Sequence, residues 1–472
     1  MQSFWAGIAF LLSSVTLQPI HTTLSDIFGR KPILYVCLIF FFAGTVTVGA
    51  AKNSATLIAG RTIQGVGGGG MEALSEIILT DLTTLKERPL YIGILGLVWA
   101  FGSILGPLIG GVVSHYSSWR WIAWINLPLL GIAMCLLPPF LKLANDRSSL
   151  ASKVRRIDFV GILLFLPGLT CFVLAIVWGG VLFPWSAWET ILPLIFGSLL
   201  LIVFVFYELR HPEPLIPFRL FKNHTTTAAL FGAFIHGIML WGVVYYLPLY
   251  FEAVIQHDPL RAAIDGFPLA FTVTPMSIVC ALLIDYTRRY KWTIWIGWVL
   301  STVGLGTMVL LGFNTPVGIY SILQLSPGIG MGLLFPALGI PLQAAVSTDD
   351  AGVAMGTFVF FRALGSTIGV SIGSTIFSNV FSERLRHLSL PSNFPLTDGN
   401  KAINFIHTLR NIQLPVNLRI QILEVYAESF KFIWIVMACL SCIGLFSTLL
   451  MEEITLERED VGRQAFQESN EQ

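Results

Sequence analysis

Charge is what this 472-residue sequence has least of. Lys and Arg (28) and Asp and Glu (27) make up 12% of the chain, where a soluble globular protein carries about 25%. The near-balance, +1, leaves no basic surface for nucleic acid. Cysteine is scarce too: Cys37, Cys135, Cys171, Cys280, Cys439 and Cys442 all lie inside apolar runs. There they read as buried thiols and not as a disulfide or metal framework. No basic n-region precedes the first apolar stretch, so no cleavable signal is expected. No Ser/His/Asp triad, metal cluster or paired catalytic carboxylates can be assembled, which argues against an enzyme and implies no cofactor and no metal.

Apolar length is what the chain has instead. Thirteen runs are long enough to cross a bilayer as helices: roughly 4–20, 33–51, 54–79, 90–113, 121–141, 157–180, 190–207, 227–252, 264–284, 292–312, 317–342, 352–378 and 431–451. The expected class is therefore an all-α integral membrane protein with about 13 transmembrane helices. The connections alternate in basic content. One side carries Arg30 and Lys31, Lys86 and Arg88, five cations over 142–156, Arg210, Arg219 and Lys222, then Arg288, Arg289 and Lys291; the short loops opposite hold only Lys52, Arg120 and Arg261. Basic loops mark the cytoplasmic side, and only the loop at 343–351 breaks the alternation. The first run then starts outside, and an odd helix count with an outside N-terminus leads us to expect that one leading helix is absent from this chain. Residues 387–431 form the long hydrophilic stretch; Phe405, Leu409 and Ile412 have the spacing of an amphipathic helix on the membrane surface. The acidic tail beyond Met451 reads as disordered.

Polar residues inside the runs are costly and so functional candidates. Arg61 opens Gly60-Arg61-Thr62-Ile63-Gln64-Gly65-Val66-Gly67-Gly68-Gly69-Gly70. A nucleotide-binding loop would need a preceding strand; here the glycines suit close helix packing. Glu72 and Glu76 share that run, Glu72 being the better candidate for binding a proton and a structural salt bridge the alternative for either. Arg362 is a second membrane cation. Gly102, Gly106 and Gly110 fall on one face at four-residue spacing, with Gly111 beside them and Pro107 bending the helix. His236, in an apolar run, either titrates or is a hydrogen-bonded interior side chain. Trp241, Tyr245 and Tyr246 give either cavity walls or an interfacial belt.

Between the first two runs lies Leu24-Ser25-Asp26-Ile27-Phe28-Gly29-Arg30-Lys31-Pro32, a knot in which Gly29 suits a left-handed turn and Asp26 can pair with Arg30. Asp285 and Arg289 repeat that spacing after the ninth run, as an internal repeat would.

The knot resembles the loop signature of the major facilitator superfamily, 61–70 resembles its fourth-helix motif, and 102–111 its antiporter motif. With Tyr245-Tyr246-Leu247-Pro248-Leu249-Tyr250, the chain is most similar to fungal fourteen-helix drug:proton antiporters. The resemblance implies a major facilitator fold of two pseudo-symmetric halves plus two inserted helices: 1–141 as the N-terminal half without its first helix, 142–224 as the inserted pair with flanking loops, 225–451 as the C-terminal half with an external loop at 379–430, and 452–472 as a cytoplasmic tail. It implies a conformational latch at Asp26 and Arg30, to which the turn at Gly29 and the repeat at Asp285 and Arg289 add candidates, and proton coupling through Arg61; Glu72 and Arg362 are further coupling candidates as intramembrane charges. It also implies a packing motif at Gly106, Pro107, Gly110 and Gly111, with Gly102 a candidate by its spacing on the same face. Gln64, His236, Trp241, Tyr245 and Tyr246 are candidates for the substrate cavity. Two departures stand out: Thr22 occupies the position where the loop motif opens with Gly, and Glu252 stands where Gln is expected. The function implied is proton-coupled efflux of small amphipathic compounds by a monomer, in the plasma or vacuolar membrane. Partners would be that substrate, protons and the bilayer, with no nucleic acid. Proton-coupled uptake of a siderophore-like solute and a truncated, non-transporting protein are the alternatives.

Overall fold

The computed structural model describes residues 2–143, 149–388, 396, 399 and 402–458. Eighteen α-helices account for most of them. The chain begins with α1 (Gln2–Phe28), α2 (Arg30–Gly49), α3 (Ser54–Leu82), α4 (Arg88–Tyr116), the short α5 (Trp121–Trp124) and α6 (Asn126–Phe140). A short α7 (Leu150–Arg155) leads to α8 (Phe159–Trp178) and α9 (Trp188–Glu208). The remainder is α10 (His224–Ala253), α11 (Pro259–Asp265), α12 (Phe267–Thr287), α13 (Lys291–Thr307), α14 (Val317–Ala337), α15 (Gly339–Ala345), α16 (Ala351–Arg386), α17 (Ala402–Asn411) and α18 (Val416–Thr448). Helices satisfy every backbone donor within the segment, which hydrocarbon demands.

Each of the thirteen expected runs falls on a helix, 121–141 as α5 with α6 and 317–342 as α14 with α15. Eleven of the spans are long and apolar enough to cross a membrane by composition alone. The other two, α1 and α3, carry Gln18, Asp26, Arg61, Glu72, Glu76 and Asp81. The least apolar spans are the ones that hold the polar groups discussed below.

Ends are set locally. Asn53 caps α3 by accepting from the Thr56 amide, Asp158 caps α8 through the Gly161 amide, and Asn223 caps α10. Gly29 turns α1 into α2 at φ 103°, the left-handed region that glycine tolerates. The glycine run of α3 is helix interior and serves packing. A Cβ on Gly65 would stand 2.4 Å from the Phe10 carbonyl of α1, and one on Gly67 would stand 2.3 Å from the Cys37 carbonyl of α2.

α1, α2 and α3 pack together, as do α10, α16 and α18, and α12, α13 and α14. Three seams join the beginning of the chain to its end: α1 on α16, α3 on α16 and α4 on α12. The α8–α9 pair lies against α1 and α16, with Phe165 and Phe360 in edge contact at 5.8 Å.

Two expectations need correction. α17 is a helix with an apolar face, but Phe405, Ile406 and Leu409 of that face are buried against protein and not spread on a membrane surface. The Tyr426 hydroxyl of α18 donates to its Ala402 carbonyl at 2.7 Å. The start of the acidic tail is ordered as well: Leu456 is buried, the Tyr290 hydroxyl donates to the Glu452 carbonyl and Arg458 donates to the Val346 carbonyl. Sequence polarity hid these anchors because the bonds run through backbone atoms. The rest of the tail, 459–472, lies outside the described residues.

Candidate functional site

Arg362 sits twelve residues into α16, buried, with its guanidinium above the Phe335 ring at 4.8 Å and the Phe358 ring at 5.6 Å. It donates to Glu76 of α3, and Glu72 lies one helical turn earlier at 3.7 Å. Gln18 of α1 donates to the far oxygen of Glu72 at 3.2 Å. The i, i+4 spacing puts both carboxylates on one face of α3, so one cation is held by two anions across the α3–α16 seam. The carboxylates belong to the beginning of the chain and the cation to its end.

This triad borders space. Glu76 and Arg362 line a cavity of about 700 Å³ together with Trp99, Phe335 and Phe358. Trp99 and Phe335 also line a neighbouring cavity of about 990 Å³, walled by Leu240, Trp241, Leu247 and Pro248. Trp99 meets Trp241 edge-on at 6.3 Å and Phe335 at 5.9 Å. Aromatic walls with a few convergent polar groups are what bind small organic molecules.

Other candidate residues sit elsewhere. Arg61 donates to the Ala6 carbonyl at 3.1 Å and to Gln64 at 2.7 Å, and its guanidinium lies over Phe10 at 4.5 Å. Eleven residues separate it from Glu72, about 16 Å along the helix, and among the described residues it makes no ion pair. Gln64 is buried and donates to Thr45 at 3.0 Å. His236 is buried with Nε2 3.2 Å from the Met331 carbonyl, which gives it a structural partner beside Phe335. The fully buried Tyr246 donates to the Val370 carbonyl at 2.6 Å and packs on Gly373 of α16, while Tyr245 is exposed. Of the five cavity candidates, Trp241 alone is in the wall. On α4, a Cβ added to Gly102, Gly106 or Gly110 would meet nothing within 4 Å, and one on Gly111 would touch Leu260 at 3.6 Å. The Pro107 side chain lies outside the described residues.

The knot between α1 and α2 forms a second cluster. Arg30 is buried and pairs with Asp26 at 2.5 Å and with Asp81 of α3 at 2.9 Å, and it donates to Ser25 at 2.7 Å. Asp81 was missed, although a third acid on α3 at the end that topology puts beside Arg30 was a usable signal. The start of α16 covers this cluster: a Cβ on Gly352 would stand 2.6 Å from Arg30 Nη2. Thr22 packs against Gly356, where a Cβ would come within 2.4 Å of it. The close approach survives because the glycine is on the opposite helix. Arg219 with Asp350 (2.5 Å), Arg88 with Gln343 (3.2 Å) and Arg288 with the Lys86 carbonyl (2.7 Å) add further bridges between basic loops and distant parts of the chain. Asp285 pairs with Arg288 at 3.1 Å, one residue short of the Arg289 that repeats the Arg30 spacing.

Sequence comparison settles the family. The profile of the Major Facilitator Superfamily matches residues 2–370. The chain belongs to that superfamily. It is 39% identical over 472 residues, the whole chain and 79% of the relative, to "MFS transporter L2" of a Phoma species. It is 34% identical over 462 residues, 96% of this chain and 82% of the relative, to "Efflux pump FUS6" of Gibberella fujikuroi. The fold matches the proton:xylose symporter XylE with a TM-score of 0.58 at 12% identity, over 97% of this chain and 88% of that one. As a superfamily member it is an integral membrane transporter related to fungal efflux pumps, not an enzyme.

Proposed function

We propose that this transporter exports small amphipathic organic compounds in exchange for protons by alternating access, from the plasma membrane or, failing that, the vacuolar membrane. The observation that carries the reading is the Glu72–Glu76–Arg362 triad, which ties the two ends of the fold together at the cavity wall. With both carboxylates ionised the triad carries one net negative charge, so it draws α3 and α16 together and attracts a proton. A proton taken up by this pair of carboxylates leaves Arg362 with one anion in place of two, and the seam loosens at the place where the halves must part. The bridges around Arg30, Asp81 and Gly352 then act as the cytoplasmic latch. Relatives carrying efflux-pump names support export over uptake.

Reconstitution into liposomes with an imposed pH gradient tests this. Wild type should move an amphipathic fluorescent substrate and protons in opposite directions. Glu76→Gln should exchange substrate without moving protons. Full proton flux in that variant would remove the triad from the coupling.

A further inference from the structure

A second acidic pair lies away from the cavity, at the cytoplasmic ends of the two inserted helices. Asp158 precedes α8 and Glu208 closes α9, and they are 3% and 2% exposed. Asp158 Oδ1 accepts from the Gly161 amide at 2.8 Å and from the Tyr207 hydroxyl at 3.0 Å. Its Oδ2 and both oxygens of Glu208 have no completed hydrogen bond among the described residues. These oxygens converge: a Cβ on Gly161 would stand 2.0 Å from Asp158 Oδ2 and 2.6 Å from Glu208 Oε1.

No Lys or Arg pairs with either acid among the described residues. The His211 Nδ1 donates to the Glu213 carbonyl at 3.0 Å and is 4.0 Å from Asp158 Oδ2. Arg156 is bound to Glu213 at 2.8 Å, and Arg210 donates to the Phe206 carbonyl at 3.4 Å. The Leu215 and Ile216 amides face Glu208 without completing a bond. The helices packed against α8 carry Asp26, held by Arg30, and Arg362, held by Glu76.

Two buried carboxylates this close cannot both be ionised without a cation between them. The helix ends decide which one keeps the proton. Asp158 lies at the positive N-terminus of α8 and has two completed donors, whereas Glu208 lies at the negative C-terminus of α9 and has only the Leu215 and Ile216 amides nearby, neither completing a bond. We propose that Asp158 and Glu208 form a second proton-binding site, in which Glu208 retains its proton and donates it to Asp158 Oδ2, clasping α8 to α9 at the cytoplasmic face. Because α8 touches both α1 and α16, the clasp links cytoplasmic pH to the packing of the halves. It is independent of the cavity triad and of the direction of transport.

Thermal unfolding of the purified full chain across pH tests this. The fold holds a proton that an unfolded Glu releases near pH ~4.3, so wild-type stability should fall as pH rises through the site's titration. Glu208→Gln supplies an amide donor to Asp158 without titrating, and should lose about one proton equivalent from that slope. The infrared carbonyl band of a protonated carboxyl at mildly alkaline pH should be present in a Glu72→Gln/Glu76→Gln background and absent when Glu208→Gln is added. An unchanged slope and band would overturn the proposal. So would stabilisation by Mg²⁺ or Na⁺ without that band, which would make the occupant a metal ion. Should Glu208→Gln not fold, the band in the Glu72→Gln/Glu76→Gln background decides, and its absence refutes the site.

Discussion

The molecule holds two clusters of the same composition, one arginine between two carboxylates, in opposite circumstances. Arg30 with Asp26 and Asp81 is contained within α1, α2 and α3, and α16 merely closes over it. Arg362 with Glu72 and Glu76 spans the seam between α16 and α3. The first can persist while the halves move. The second cannot, because separating α3 from α16 strips a buried guanidinium of its partners. A buried charge left without its partner costs about 3–5 kcal/mol, so only the second cluster ties the separation of α3 from α16 to the charge of its own members.

The largest effect should follow Arg362→Ala, which leaves two carboxylates facing one another. Thermal unfolding in detergent should show a loss of about 3–5 kcal/mol, with efflux from liposomes at background. The combined Arg362→Met, Glu72→Gln and Glu76→Gln variant should regain the stability and not the proton coupling; recovery of coupling would erase the distinction between the clusters. Next comes Gly352→Val, whose side chain would intrude on Arg30 and Asp81. Overpacking of about 1–3 kcal/mol should hold the cytoplasmic side open, raising labelling of cysteines introduced there by roughly tenfold or more. Unaltered labelling would mean that α16 does not seal the latch. Asp81→Asn should outweigh Asp26→Asn in the same labelling assay, since the Asp81 side chain is 5% exposed and that of Asp26 30%, and water screens the latter. The reverse order would reassign the latch to Asp26.

The smallest effect is expected from Arg61→Ala. It removes a carbonyl bond to α1 and a stack on Phe10, together about 1–2 kcal/mol, and should slow efflux with proton coupling intact. A folded Arg61→Ala protein that exports without moving protons would shift the proton site away from Arg362.

Much of the fold was legible because it depends on solvent. Run length against bilayer thickness yields the spans, and loop charge yields their alternation. Arg362 and Glu72 stood out as expensive intramembrane charges, and Asp26 and Arg30 through their spacing. Glu76 was equally visible, but nothing in a single helix says which carboxylate meets an arginine 286 residues away. Tyr246 and His236 looked like cavity groups and are bound to carbonyls of neighbouring helices. Asp158 and Glu208 lie at the ends of apolar runs, where nothing in the local sequence records that they are buried.

By itself, the sequence determined that this chain crosses the membrane many times, that its basic loops alternate with poorly charged ones and which few charges lie within the apolar spans. These follow from each residue's own transfer from water to hydrocarbon. Only the tertiary structure decided which charges share a partner, whether an aromatic ring borders space or another helix, and that two distant acids meet over Gly161. Those are distances between helices, and a local pattern of residues carries no record of them.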